Sequence, residues 1–525
     1  MTPNQAILAG KTALGIELGS TRIKAVLIGH DHQVLATGSF SWENRLENDL
    51  WTYHLSDAVR GVQISFAELA KNVKNQYGVA LTTVGTIGIS GMMHGYLSLD
   101  ANGNQLAPFL TWRNTNTAQA ADALTELFQF NIPLRWSISH LYQAMLEKRA
   151  HVGDIAHITT LSGYIHYLLT GEVVIGIGEA SGMFPIDSTI LDYDGNMLTR
   201  FDGLAKKMGY GWDIRKVLPK VLSAGADAGV LTAEGAKLLD PTGVLQPGIP
   251  MVPPEGDAGT GMVATNSVAA GTGNVSAGTS IFTMVVLEKA LSKLYRDIDM
   301  VTTPSGLPVA MVHCNNGASE LDGWMGMFSQ LAKLLGADTE DLYGKLFNES
   351  LKGDADCGGL LLYNYVSGEP ICGLNDGRPL LVRPKDSKLS LANFMRSQIY
   401  GVWASLAVGM QIFTDEKVNV RRLTGHGGLF KTPGVAQRYL AAAVNSAVTV
   451  MKTAGEGGPY GMALLAAYRS VREQMPLEDF LEKEVFAGAE STTLQPEQSE
   501  VAAFADYLAR YQKALALEHC AVETV

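Results

Sequence analysis

The chain has 525 residues, 46% of them hydrophobic and 18% charged, an ordinary composition for a globular protein long enough to bury more than one core. Its formal net charge of -12 excludes the basic stripe of a general nucleic-acid binder but leaves room for ATP held locally. Four scattered cysteines, Cys314, Cys357, Cys372 and Cys520, form no CxxC pair, which excludes zinc and thiol-redox motifs and makes reduced thiols in the cytoplasm the expectation.

The N-terminus lacks a basic region followed by an apolar stretch of signal-peptide length, and it is expected to enter a strand almost at once. "GKT" at Gly10 to Thr12 looks like the end of a P-loop, but Gln5 stands where the leading glycine belongs. "GIELGSTRIKAVLIG" (Gly15 to Gly29) then sets a polar knot between two apolar runs and predicts a β-hairpin. An ordinary tight turn would explain Gly19, Ser20 and Thr21. A phosphate cradle would explain them too, with backbone N–H groups facing an anion and Glu17 beside a hydrated metal.

Further on, "ALTTVGTIGISGMMHGYLSLDANGNQLAPFLTW" reads as strand, Gly-Met-Met-His-Gly corner, strand and "DANG" turn. From Asn116 to His166 the apolar spacing turns helical. The turn-rich stretch "LQPGIPMVPPEGDAGTG" (Leu245 to Gly261) marks a boundary near mid-chain and divides the protein into residues 1–258 and 259–525.

Beyond it, "GNVSAGTSIFTMVV" (Gly273 to Val286) repeats the opening pattern, with Gly278, Thr279 and Ser280 between two β-prone runs. Two hairpins a domain-length apart suggest related halves that each offer a turn to one phosphate chain. "GTGNVSAG" is no dinucleotide fingerprint, because Ser276 holds the third glycine position. The apolar run Ile399 to Phe413 is shorter than the roughly 20 residues a bilayer requires, which predicts a buried core helix. In "RRLTGHGGLFKTPGVAQRYLAAAV" a strand ends in glycines, among them Gly427 and Gly428, before a helix from about Gly434, an arrangement that lets backbone approach a flat ring.

Taken together, "GIELGST", "GISGMMHG", "TW", "YIHYLLTGE", "EGDAGTG", "AGTS", "GHGG" and "GMALLAA" make the chain resemble the FGGY carbohydrate kinases almost from end to end, with the "MMHG" corner most like the xylulokinases. The resemblance implies an α/β fold of two actin-like, ribonuclease-H-like ATPase domains closing on ATP and a sugar, with Mg2+ as cofactor. It implies that Asp257 is the catalytic base and lies at both the sugar and the metal, and that Glu17, where the family usually has Asp, holds the metal through water. It further implies that Met93, His94, Gly95 and Trp112 meet the sugar, and that Gly19 to Thr21, Gly278 to Ser280, Gly427 and Gly428 hold the nucleotide.

Two departures bear on specificity. Asn114 and Asn116 stand for the acid and arginine of the family's Trp-x-Asp-x-Arg, and "SGEPICG" keeps Glu369 and Pro370 but lacks the arginine of Gly-Glu-Arg-x-Pro. The expected preference therefore moves away from D-xylulose toward another ketose. The implied partners are a small-molecule sugar and ATP, with no nucleic acid and no membrane, and a homodimer is the assembly to test. The rival readings are a nucleotide hydrolase of the same fold and a nucleotide-dependent filament or binding protein.

Overall fold

The computed structural model describes residues 1–451 and 457–525. Its first element departs from the expected early strand. Pro3–Leu8 forms a short helix, α1, because Pro3 sits in the first turn and Thr2 and Gln5 cap each other reciprocally.

The first hairpin forms where the polar knot predicts it. β1 (Ala13–Leu18) pairs antiparallel with β2 (Arg22–Ile28), and β2 with β3 (Val34–Ser41). On the other side of β1, β4 (Thr86–Gly91) and then β5 (Glu255–Gly256) pair in parallel, giving the order β5-β4-β1-β2-β3. The second sheet contains β6 (Thr272–Ala277), β7 (Ile281–Val286), β8 (Ile298–Thr302), β9 (Pro308–Cys314), β10 (Arg422–Gly427), β11 (Ala447–Met451) and β12 (Ser491–Leu494), in the order β8-β9-β7-β6-β10-β11-β12. Its five inner strands repeat the first sheet's pairing: β9, β7 and β6 antiparallel, then β10 and β11 parallel. The echo between "GIELGST" and "NVSAGTS" is thus an echo of topology.

The helices follow in chain order. Among them are α2 (Leu55–Tyr77), α3 (Ala118–Phe128), α4 (Ser137–Leu146), α5 (Leu161–Thr170), α6 (Ile177–Ala180), α7 (Asp257–Ala264), α8 (Ser319–Leu334), α9 (Leu391–Asp415), α10 (Val435–Val444), α11 (Gly457–Tyr468) and α12 (Gln498–Thr524). The helical stretch expected over Asn116 to His166 resolves into α3, α4 and α5, and the apolar run Ile399 to Phe413 lies inside the buried α9. Among the described residues no helix is long and apolar enough to cross a membrane.

Alternation along β1 feeds two cores. Leu14, Ile16 and Leu18 join Phe66 and Leu69 of α2, whereas Ala13 joins Met462 and Ala463 of α11. A side chain at Gly15 would meet the Pro459 carbonyl at 2.2 Å, so α11 lies directly on the strand. The core around α7 and α11 also includes Met284 and Val286 of the second sheet, and the two sheets therefore share it. A separate core gathers β6, β7, α9, α10 and α12.

Candidate functional site

β1, β4 and β5 run parallel to one another, so their C-terminal ends open at the same edge of the sheet, where ligands bind in α/β folds. Glu17 sits at the end of β1, the Met93–Gly95 corner just past β4, and Asp257 just past β5. The edge closes through one hydrogen bond: the Met93 N–H donates to Asp257 Oδ1 at 3.0 Å. Asp257 is the first residue of α7. Burial raises its pKa, and the N–H groups of Met93 and Ala258 oppose that rise.

The corner is conformationally demanding. His94 takes a left-handed backbone (φ 73°) and Gly95 follows at φ 95°, where a side chain would meet the Leu110 carbonyl at 2.8 Å. The His94 ring lies 3.3 Å by Nδ1 from the Gly182 carbonyl. A carbonyl oxygen only accepts, so Nδ1 carries the proton and Nε2 is left as an acceptor. Burial, followed by the Arg135 charge, holds the imidazole well below its ordinary pKa and hence neutral.

Glu17 is partly buried, and its pKa is raised to about 8, first by burial and then by the charge of Asp257. A Cβ at Gly458, in the first turn of α11, would fall 2.3 Å from Glu17 Oε2. The missing side chain at 458 makes room for a carboxyl one methylene longer than aspartate. The Asp257 charge disfavours ionisation of Glu17, and a neighbouring pair of carboxylates is a donor set suited to a divalent cation. Among the described residues no group of three or more His, Cys, Asp or Glu side chains could hold a metal. Magnesium commonly takes one or two protein carboxylates plus water and substrate phosphate, so Glu17 and Asp257 fit it.

Two further carboxyls lie behind this edge, Glu255 inside the "EGDAGTG" stretch and Glu179 outside any recognisable motif. Glu255 accepts the N–H groups of Gly178 and Glu179, tying α6 to β5, and burial pushes its pKa to about 8. Glu179 is fully buried and is pushed well above the carboxylate range by burial, which keeps it neutral. Its Oε2 lies 2.3 Å from where a Cβ at Gly256 would stand, so only glycine fits directly before Asp257.

The remaining expected residues divide. Gly278, Thr279 and Ser280 form the β6–β7 turn, and Gly427 closes β10 beside it, its φ of 107° bringing the backbone so near that a Cβ would meet the Ala277 carbonyl at 2.3 Å. Gly428 opens the 3-10 turn that follows. Glu369 is buried and accepts from the N–H groups of Asn315 and Asn316, which orders the segment leading to α8.

Trp112 is 42% exposed, and no hydrogen bond or ring contact ties it to Met93, His94 or Asp257. It lies two residues past Leu110, the bridge partner of Tyr96. Asn114 is buried and serves the loop: its Nδ2 donates to the carbonyls of Trp51 and Thr111, and its Oδ1 accepts the Trp51 N–H. Asn116 is exposed.

Family comparison fits this geometry. The N-terminal domain of the FGGY family of carbohydrate kinases matches residues 12–264, and its C-terminal domain matches residues 273–470. The chain belongs to the FGGY family of carbohydrate kinases. It is 24% identical over 511 residues to a xylulose kinase of Haemophilus influenzae, covering 94% of this chain and 96% of that protein. It is also 24% identical over 258 residues to an L-fuculokinase of Salmonella typhi, spanning 46% of this chain and half of that one. The solved xylulose kinase from Rhodospirillum rubrum superposes with a TM-score of 0.77 at 18% identity, covering 97% of this chain and 99% of that chain. The fold of this FGGY chain is accordingly that of the two-domain, actin-like sugar kinases.

Proposed function

We propose that this FGGY kinase transfers the γ-phosphoryl group of ATP to a hydroxyl of a small ketose, with Asp257 as the general base. The observation that carries the reading is the Met93 N–H bond to Asp257 Oδ1, which joins the carboxylate to the corner proposed to hold the sugar. The sugar O–H gives its proton to the Asp257 carboxylate as the oxygen attacks the γ-phosphorus, the bond from phosphorus to the ADP oxygen breaks, and ADP leaves. The raised pKa of Asp257 makes it a better proton acceptor than an exposed aspartate. His94 Nε2 supplies an acceptor for a sugar hydroxyl, and Met93 and Gly95 shape the wall beside it.

The turns Gly19–Thr21 and Gly278–Ser280 orient the phosphates, and Gly427 and Gly428 lie against the adenosine. Mg2+ would be held by Glu17 through water and by Asp257, and when bound it neutralises phosphate charge. Protein residues are left with alignment and the exclusion of water, which are the main requirements of phosphoryl transfer. Pentuloses such as xylulose are the substrates to test first, and the loss of the family's acid and arginine at positions 114 and 116 favours a ketose other than D-xylulose. Four free cysteines support a cytoplasmic enzyme.

The test is a screen of ketoses and polyols with coupled ADP detection. One ketose should stimulate ADP release far above the rate with ATP alone. Uniform, sugar-independent hydrolysis would favour the hydrolase reading instead.

A further inference from the structure

The two phosphate turns follow the equivalent strand of each sheet but are held differently. In the second, the Gly278 carbonyl accepts the Ala318 N–H at 2.8 Å and the Thr279 carbonyl accepts the Gly317 N–H at 2.7 Å. Both donors lie just before α8. In the first turn, the topologically matching carbonyls are taken by side chains: Gly19 by the Trp42 indole Nε1 at 2.7 Å, and Ser20 by the Tyr53 hydroxyl at 2.6 Å. The adjoining carbonyls are engaged as well, Leu18 by the Met92 N–H and Thr21 by the Trp42 N–H.

A peptide unit whose oxygen is fixed on one side presents its N–H to the other. Among the described residues no protein acceptor takes the N–H groups or hydroxyls of Ser20 and Thr21. The same holds for the N–H groups and hydroxyls of Thr279 and Ser280. Each turn is therefore a set of donors left open because its acceptors are occupied behind it. Trp42 and Tyr53 brace each other, with ring centroids 4.2 Å apart, and Trp42 is buried. Neither residue lies in a motif that resembles a nucleotide site.

We propose that Trp42 and Tyr53 are positioning residues for the nucleotide: an aromatic clasp that holds the Gly19 and Ser20 carbonyls away from the cleft so that the first turn offers its donors to the phosphates. The inference rests on the proposed kinase function. Burial pushes the Tyr53 hydroxyl up to about 12, so it keeps the proton it donates throughout the working range. The second turn needs no such pair, because the backbone before α8 already supplies both donors.

Tyr53→Phe and Trp42→Phe remove one donor each while keeping an aromatic ring in the stack. Binding of Mg·ATP to parent and variants is measured by calorimetry, together with the KM for ATP and for the best ketose. Each variant should bind Mg·ATP roughly 5- to 20-fold more weakly and raise the KM for ATP alike, as expected for one lost loop-ordering hydrogen bond. The KM for the ketose should stay within about twofold of the parent's, which a general loss of structure would not allow. Tyr53→Phe deletes a single oxygen, so it keeps the test open if Trp42→Phe does not fold. Equal Mg·ATP binding by parent and folded Tyr53→Phe, or parallel rises in both KM values, would overturn the clasp alone. A parent protein that binds no Mg·ATP would overturn the phosphate-turn reading and the clasp with it.

Discussion

Glu17 reaches the candidate site with one methylene more than the aspartate usual in this family, about 1.5 Å of extra length, and the bare Cα of Gly458 is what faces its carboxyl. The sequence exposes the departure but not the accommodation, since positions 17 and 458 meet only when α11 returns to β1. Replacing Glu17 by Gln should weaken the apparent affinity for Mg2+, with activity partly restored by excess metal and sugar binding nearly unchanged. Activity titrated against magnesium checks this; an unchanged profile at limiting metal would make Glu17 a turn residue only. Met93, His94 and Asp257 could be singled out in advance because "GISGMMHG" and "EGDAGTG" resemble motifs of the FGGY kinases. Glu179 could not. Its importance comes from burial behind β5, and nothing within a few residues of it signals that.

Hairpins and their turns are the most legible elements, for a physical reason: a two-residue period flanking Gly, Ser and Thr specifies strand, turn and strand locally. What holds each turn is long-range. Gly317 shows this for the second one, because a Cβ there would fall 2.3 Å from the Gly278 carbonyl. Gly317→Ala should displace that turn and weaken Mg·ATP binding about tenfold, the scale of a lost loop-ordering contact, while leaving sugar binding intact. Calorimetry with each ligand separately checks it, and equal ATP binding would show that the turn does not touch the nucleotide. Asn114 teaches the reverse lesson. It was singled out for the sugar pocket by its place in a motif, but its amide is spent on the Trp51 and Thr111 backbone. The helix α1 is not legible because, at only six residues, it is too short for a periodic signal.

Across the whole molecule, two sheets of one topology share a core through α7 and α11, an arrangement hidden in the sequence because α11 follows the second sheet's β11 yet lies on the first sheet's β1. The N-terminal half also buries His140 and His166, both held by burial to about 4. Between that value and 6.5 the unfolded chain binds more protons than the folded one, so this contribution to stability is full above about 6.5 and is lost as pH falls toward 4. Each histidine should cost about 2 kcal/mol at pH 5. Glu17 and Glu255, raised to about 8, act in the opposite sense between 4.5 and 8, but they are common to parent and variant. His166→Asn should therefore lose less stability than the parent between pH 7 and pH 5 in urea denaturation. Identical losses would mean that His166 is not held neutral.

Most directly decisive for the kinase reading is the turnover of Asp257→Asn, measured with the ketose that most stimulates ADP release. The substitution is nearly isosteric, and Oδ1 can still accept the Met93 N–H, so the fold and the binding of Mg·ATP and sugar should survive. Turnover should fall by about 10²- to 10⁴-fold, the usual scale for removing a general base. Near-parental turnover by a folded Asp257→Asn protein would contradict the assignment of Asp257 as the base.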